Sequence, residues 1–115
     1  MELYTKESLK TVMKGNEGHD FILPKPLFET HQYATIRLEA KLAYAAILDI
    51  LMSKAQYTKE NLAFIKVDNP EIKNTLARLA NKEVNQEKML KYIEELDQVN
   101  LIKVEGQNLF VYDLG

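Results

Sequence analysis

The chain has 115 residues, of which 46% are hydrophobic and 28% charged, and its formal net charge is −2 at pH 7. This length and balance suit one folded domain and exclude a disordered chain. The lack of cysteine excludes a disulfide scaffold and any thiolate metal site. The most apolar stretch, Leu42 to Met52, is too short to span a bilayer and contains Asp49. The expectation is a cytoplasmic protein with no membrane partner. A pI near 5.7 runs against nucleic-acid binding, where a basic domain is the usual footprint. A local basic face on an acidic domain still neutralises phosphates, so net charge alone does not exclude such a partner.

Residues 1–20 read as a flexible N-terminal arm and residues 21–115 as the domain. In the arm, Leu9, Val12 and Met13 suggest a short helix before the turn-rich Gly15-Asn16-Glu17-Gly18. Phe21 to Phe28 is apolar, and Pro24 and Pro26 keep it out of a helix interior; an extended run to Pro24 and a turn of helix near Leu27-Phe28 follow. From Ile36 to about Lys54 no Gly or Pro interrupts, and apolar residues occupy nearly every side. Such a helix is buried all round, which makes it the centre of the domain, with its alanines at close helix contacts.

Leu62 to Val67 has the composition of a short strand. Asn69-Pro70-Glu71 then supplies a helix cap, a first-turn proline and an acid at the positive end of the dipole. That helix runs to about Ala80, with Ile72, Leu76, Leu79 and Ala80 on one face. Asn85 caps a third helix with an apolar stripe of Met89, Leu90, Ile93 and Leu96, and Asn100 ends it in the left-handed region. Leu101 to Val104 and Leu109 to Tyr112 are two strands of a hairpin, with Gly106 able to take positive φ in the turn. The fold class is mainly α with a small β-sheet, an α+β fold. The order of helix, strand, helix, turn, helix and hairpin is that of a winged helix-turn-helix, in which the strand near Phe64 adds to the wing as a third strand.

Particular residues add a resemblance. Pro24-Lys25-Pro26-Leu27-Phe28, then Tyr33, then Ala40-Lys41-Leu42-Ala43-Tyr44-Ala45 follow a Pro-Lys-x-Leu-Phe block, a Tyr and an Ala-Lys-Leu-x-Tyr-Ala helix. Glu95-Leu96, Asn100-Leu101-Ile102 and Tyr112 complete the pattern. In these positions the chain resembles the N-terminal winged-helix domain of the plasmid replication initiator A (RepA N-terminal) family. Arg37 stands where that family has a Ser cap, and Asp49-Ile50 where it commonly has Asp-Arg. The resemblance implies recognition of double-stranded DNA repeats at a plasmid replication origin, commonly as a homodimer. It also implies a further C-terminal domain through which such initiators meet other replication proteins.

In a helix-turn-helix the second helix offers its N-terminal residues to base edges. Gln86, Lys88, Lys91 and Tyr92 are the residues expected to face out there. Gln pairs with adenine, and Lys reaches guanine or a phosphate. Lys73, Arg78 and Lys82 around the preceding helix, with Gln107 and Asn108 at the wing tip, are the expected backbone contacts. Glu87 stands against this model unless it pairs with Lys91 one turn on. Catalysis has little support: His19 and His31 have no ligand-spaced partner, and no Gly-rich phosphate loop follows a strand. The chain reads as no enzyme, with no cofactor and no metal. Two alternatives share the fold, a winged-helix transcriptional repressor and a protein-binding winged helix from a mobile element. A continuous basic face over Lys73, Lys82, Lys88 and Lys91 separates the DNA readings from the protein-binding one, which gains if acidic groups interrupt that face.

Overall fold

The computed structural model describes residues 2–15 and 21–114. Helix α1 spans Lys6–Gly15, and Thr5 and Ser8 start it by reciprocal capping. Thr5 Oγ1 accepts from the Ser8 amide at 3.1 Å, and Ser8 Oγ accepts from the Thr5 amide at 2.9 Å. Just before the helix, Leu3 bridges to Tyr112 and Thr5 to Leu62. The Tyr4 amide donates to the Val111 carbonyl at 2.8 Å, and the Ala63 amide to the Tyr4 carbonyl at 3.0 Å. The side chains of Tyr4 and Leu9 lie in the core. Residues 2–15 therefore differ from the flexible arm expected over 1–20. Paired backbone and two buried apolar side chains outweigh the polarity that suggested a tail. Residues 16–20 lie outside the described residues.

Residues 21–24 carry no regular secondary structure, and the chain then forms the short helix α2, Lys25–Glu29, with Leu27 fully buried. A single 3₁₀ turn, His31–Tyr33, leads to the central helix α3, Leu38–Lys54. Its N-cap residue, Arg37, makes no side-chain cap hydrogen bond. Nine of its residues are buried, four of them the alanines Ala40, Ala43, Ala45 and Ala46. Small side chains let neighbouring elements approach this helix closely, while Tyr44, Ile47, Leu48 and Leu51 fill the space between them. The Tyr44 hydroxyl donates to the Tyr112 carbonyl at 2.6 Å, which ties the helix to the end of the sheet. Burial raises the phenol pKa of both Tyr44 and Tyr4, and the Asp113 carboxylate beside them adds to it. Both hydroxyls stay protonated and remain donors.

Four antiparallel strands form one sheet in the order β1-β2-β4-β3, where β1 is Gln56–Tyr57, β2 Ala63–Lys66, β3 Ile102–Glu105 and β4 Asn108–Val111. The edge strand β1 is absent from the three-stranded sheet expected. Ala63, Ile65, Ile102, Leu109 and Val111 join the core. Alternation sends Phe64 and Phe110 to the other face, where their rings meet at 5.7 Å. Helices α4, Pro70–Ala80, and α5, Gln86–Gln98, pack against α3 on the core side. The α+β class read from the sequence is the class observed. No described helix is long and apolar enough to cross a membrane.

Candidate nucleic-acid interface

Three asparagines define the two-helix unit. Asn69 Oδ1 accepts from the Glu71 amide at 2.9 Å and fixes the start of α4, with Pro70 in its first turn. Asn81 ends α4 in the left-handed conformation at φ 54°, and the Lys82 amide turns back to the Ala77 carbonyl at 3.2 Å. Asn85 Oδ1 then accepts from the Lys88 amide at 2.8 Å to start α5. Val84, buried between the two caps, anchors the connection.

Helix α5 buries Met89, Tyr92, Ile93 and Leu96. Two expectations are corrected here. Tyr92, expected on the outward face, is buried at 4% exposure. Leu90, expected in the apolar stripe, is 48% exposed. At 3.6 residues per turn, positions 89, 92, 93 and 96 share an arc of about 100°, whereas position 90 falls about 100° away from position 89. The Arg37 guanidinium lies over the Tyr92 ring at 5.9 Å and its Nε donates to Glu95 at 3.0 Å. That contact ties the start of α3 to the far half of α5.

Gln86, Lys88 and Lys91 are exposed, as expected. Lys73 and Lys88 line one open groove of about 390 Å³ between α4 and α5, together with Asn74, Asn85 and Glu83. Arg78 is exposed, but it follows Lys73 by five residues and so points about 140° away around α4. Its Nη2 donates to Thr75 Oγ1 at 3.3 Å. Lys82 is exposed in the turn, outside the lining of the groove. Lys91 lies 3.9 Å from Glu87, the pair anticipated from their spacing.

Acidic groups meet this face at Glu83 and Glu87, and Glu94, seven residues after Glu87, falls on the same side of α5. The acids of the unit have contacts of their own. Glu71 pairs with Lys54, and Glu95 with Arg37. Asp97 Oδ1 accepts from the Val104 amide at 3.3 Å, and Glu94 from Gln98 at 3.4 Å.

The hairpin turns at Gly106, whose φ of 63° is the left-handed value that favours glycine. Gln107 is exposed at the tip, and its carbonyl accepts from the Val67 amide at 2.9 Å. Asn108 is half-buried in β4, and its Oδ1 accepts from Lys66 Nζ at 3.0 Å. Lys66 is the residue that sequence reasoning missed. The β2–β4 register sets it opposite Asn108, and the alternation of Ala63-Phe64-Ile65-Lys66 sends it outward. Asn74, one residue beyond Lys73 in the groove, was also missed. Among the other residues considered from the sequence, His31 is exposed on its 3₁₀ turn and His19 lies outside the described residues.

Comparison with known proteins gives no match to any family model, and no significant match among curated proteins or solved structures.

Proposed function

We propose that this chain is a winged-helix reader of double-stranded DNA, with α5 as the helix presented to the major groove. The observation that carries the reading is the arrangement of α4, a short capped turn and α5, followed by a hairpin whose second strand pairs back onto β2. The strand order β2-β4-β3 supports reading the hairpin as a wing. Lys73, Lys88 and Lys91 supply positive charge at the first turns of α5, with Gln86 beside them. Lys66, Gln107 and Asn108 supply donors at the wing. Over residues 70–98 there are six acidic and five basic side chains. Glu71 and Glu95 are paired with cations away from the groove. Beside Lys73, Lys88 and Lys91 stand Glu83, Glu87 and the exposed Glu94, so the reading rests on the placement of the lysines and not on a surplus of positive charge.

The cellular role in this proposal is recognition of repeats at a plasmid replication origin, in the cytoplasm and as a homodimer, and it rests on the family resemblance of residues 21–112. A transcriptional repressor of the same fold would use the same face, and the genomic position of the recognised repeat distinguishes the two. A second class of reading has its own support. Glu83 in the groove and Glu87 on Lys91 interrupt the basic face, and that favours a winged helix that binds protein. Selection from a random duplex pool, with sequencing of the bound fraction, separates the classes. An enriched repeat supports the DNA reader, and no retained duplex from a folded sample at low salt supports the protein-binding module.

A further inference from the structure

The densest positive charge among the helices lies on α1 and not on α5. Three lysines against Glu7 give α1 a net charge of +2 in a chain of −2, which leaves −4 for all other residues. Lys6, Lys10 and Lys14 follow one another at four-residue intervals and so form a row along the exposed side, while Leu9 and Val12 turn inward to the core. The row has a mixed effect on the helix that bears it, since Lys14 in the last turn suits the helix dipole. Lys6 stands in the first turn, where a cation opposes the helix dipole, and like charges four residues apart repel. Among the described residues none of the three is in a salt bridge, which is also true of Lys73, Lys82 and Lys88 on the α4–α5 unit. Lys6 does lie over the Tyr57 ring at 5.5 Å.

We propose that α1 is a second surface for the phosphate backbone of duplex DNA, separate from the α4–α5 face, so that one molecule holds two duplex segments. The proposal rests on the reading that α4–α5 binds DNA. Charge selects a polyanion. The inward use of Leu9 and Val12 leaves no apolar face for a lipid surface, since Met13 is the one large exposed apolar side chain of the helix. The lysine row spans roughly 12 Å of helix, over which one DNA strand presents about three or four phosphates. The two surfaces start from opposite ends of the four-residue strand β2. Helix α1 begins at the N-terminal end of β2, where the Lys6 amide donates to the Asn61 carbonyl at 2.8 Å. The wing turn meets the opposite end of β2, where Lys66 holds Asn108.

The test uses the full chain and two short duplexes, one carrying a donor dye and the other an acceptor. Energy transfer reports bridging, and anisotropy of either duplex alone reports simple binding. Lys10→Gln/Lys14→Gln is expected to abolish energy transfer, retain binding of one duplex, and lower the salt slope of binding on a long duplex by about 2. Lys88→Ala is expected to weaken single-duplex binding. Bridging that survives the α1 variant overturns the second surface, as does wild-type protein that binds one duplex and never two. Loss of all binding by a folded α1 variant also overturns it, because the two surfaces would then be one. Wild-type protein that binds no duplex at all overturns the DNA reading itself, together with the inference built on it.

Discussion

Glu87 and Lys91 lie one turn apart on the outward side of α5, with carboxylate and ammonium 3.9 Å from each other and both side chains more than half exposed. An exposed pair of this kind contributes about 0.3–0.5 kcal/mol to the helix. In the proposed DNA reading its larger effect is on the face it shares with Lys88, where the carboxylate offsets one of the charges that would hold phosphate. Glu87→Gln should leave stability within about 0.5 kcal/mol of wild type and tighten DNA binding several-fold at low salt. Thermal denaturation and anisotropy titration check the two halves. Unchanged DNA affinity, with loss of a protein partner, would favour the protein-binding reading.

The groove between α4 and α5 makes Lys73 and Lys88 unequal to Arg78, although all three are basic and close in sequence. Lys88→Ala should weaken binding by about 1–3 kcal/mol if the amine reaches a base edge. Lys73→Ala should lower the salt slope by about 1, as one lost phosphate contact does. Arg78→Ala, turned away around α4, should do neither. Titration at several salt concentrations resolves these outcomes, and equal effects from all three would contradict the placement of the interface.

Tyr92 belongs to the core and not to the interface. Tyr92→Ala should destabilise the fold by about 3–5 kcal/mol, as removal of a large buried ring does. Tyr92→Phe keeps the ring and should leave DNA affinity at the wild-type value. Denaturant unfolding and anisotropy of both variants check this, and a specific loss of affinity in Tyr92→Phe would show that the hydroxyl reaches the ligand.

Tyr44 offers a test of how the sheet is tied to the helical layer. Tyr44→Phe leaves the Tyr112 carbonyl without its 2.6 Å donor, which should cost about 1–3 kcal/mol. Chemical denaturation measures that cost. Hydrogen exchange should then locate the weakening at the N-terminal segment and the end of β4, which meet at Tyr112.

The sequence made the caps legible because each carries its own chemistry. Asn69-Pro70-Glu71 and Asn85 mark helix starts, Asn100 and Gly106 two of the four described positive-φ positions, and the alanine-rich run the buried centre. Docking of residues 2–15 was not legible. Thr5 and Ser8 cap each other without the Glu that usually advertises the box, and the burial of Tyr4 depends on strands more than fifty residues away. Strand β1 has two residues, too few to show alternation. On α5, hydrophobicity put Leu90 inside and Tyr92 outside; helix phase decides the reverse, because the arc of Met89, Ile93 and Leu96 includes Tyr92. The candidate site was legible in Gln86, Lys88 and Lys91, which local spacing turns outward. Lys66 needed the register of β2 against β4, which no local pattern reveals.

The measurement that bears most directly on the central claim is a ¹H–¹⁵N correlation spectrum of the chain titrated with the duplex that selection enriches. The account predicts shift changes concentrated at Lys73, Asn74, residues 83–91 and the wing turn at 105–108, with the buried face of α3 unmoved. Changes that leave the start of α5 and the wing untouched while the duplex binds would contradict it.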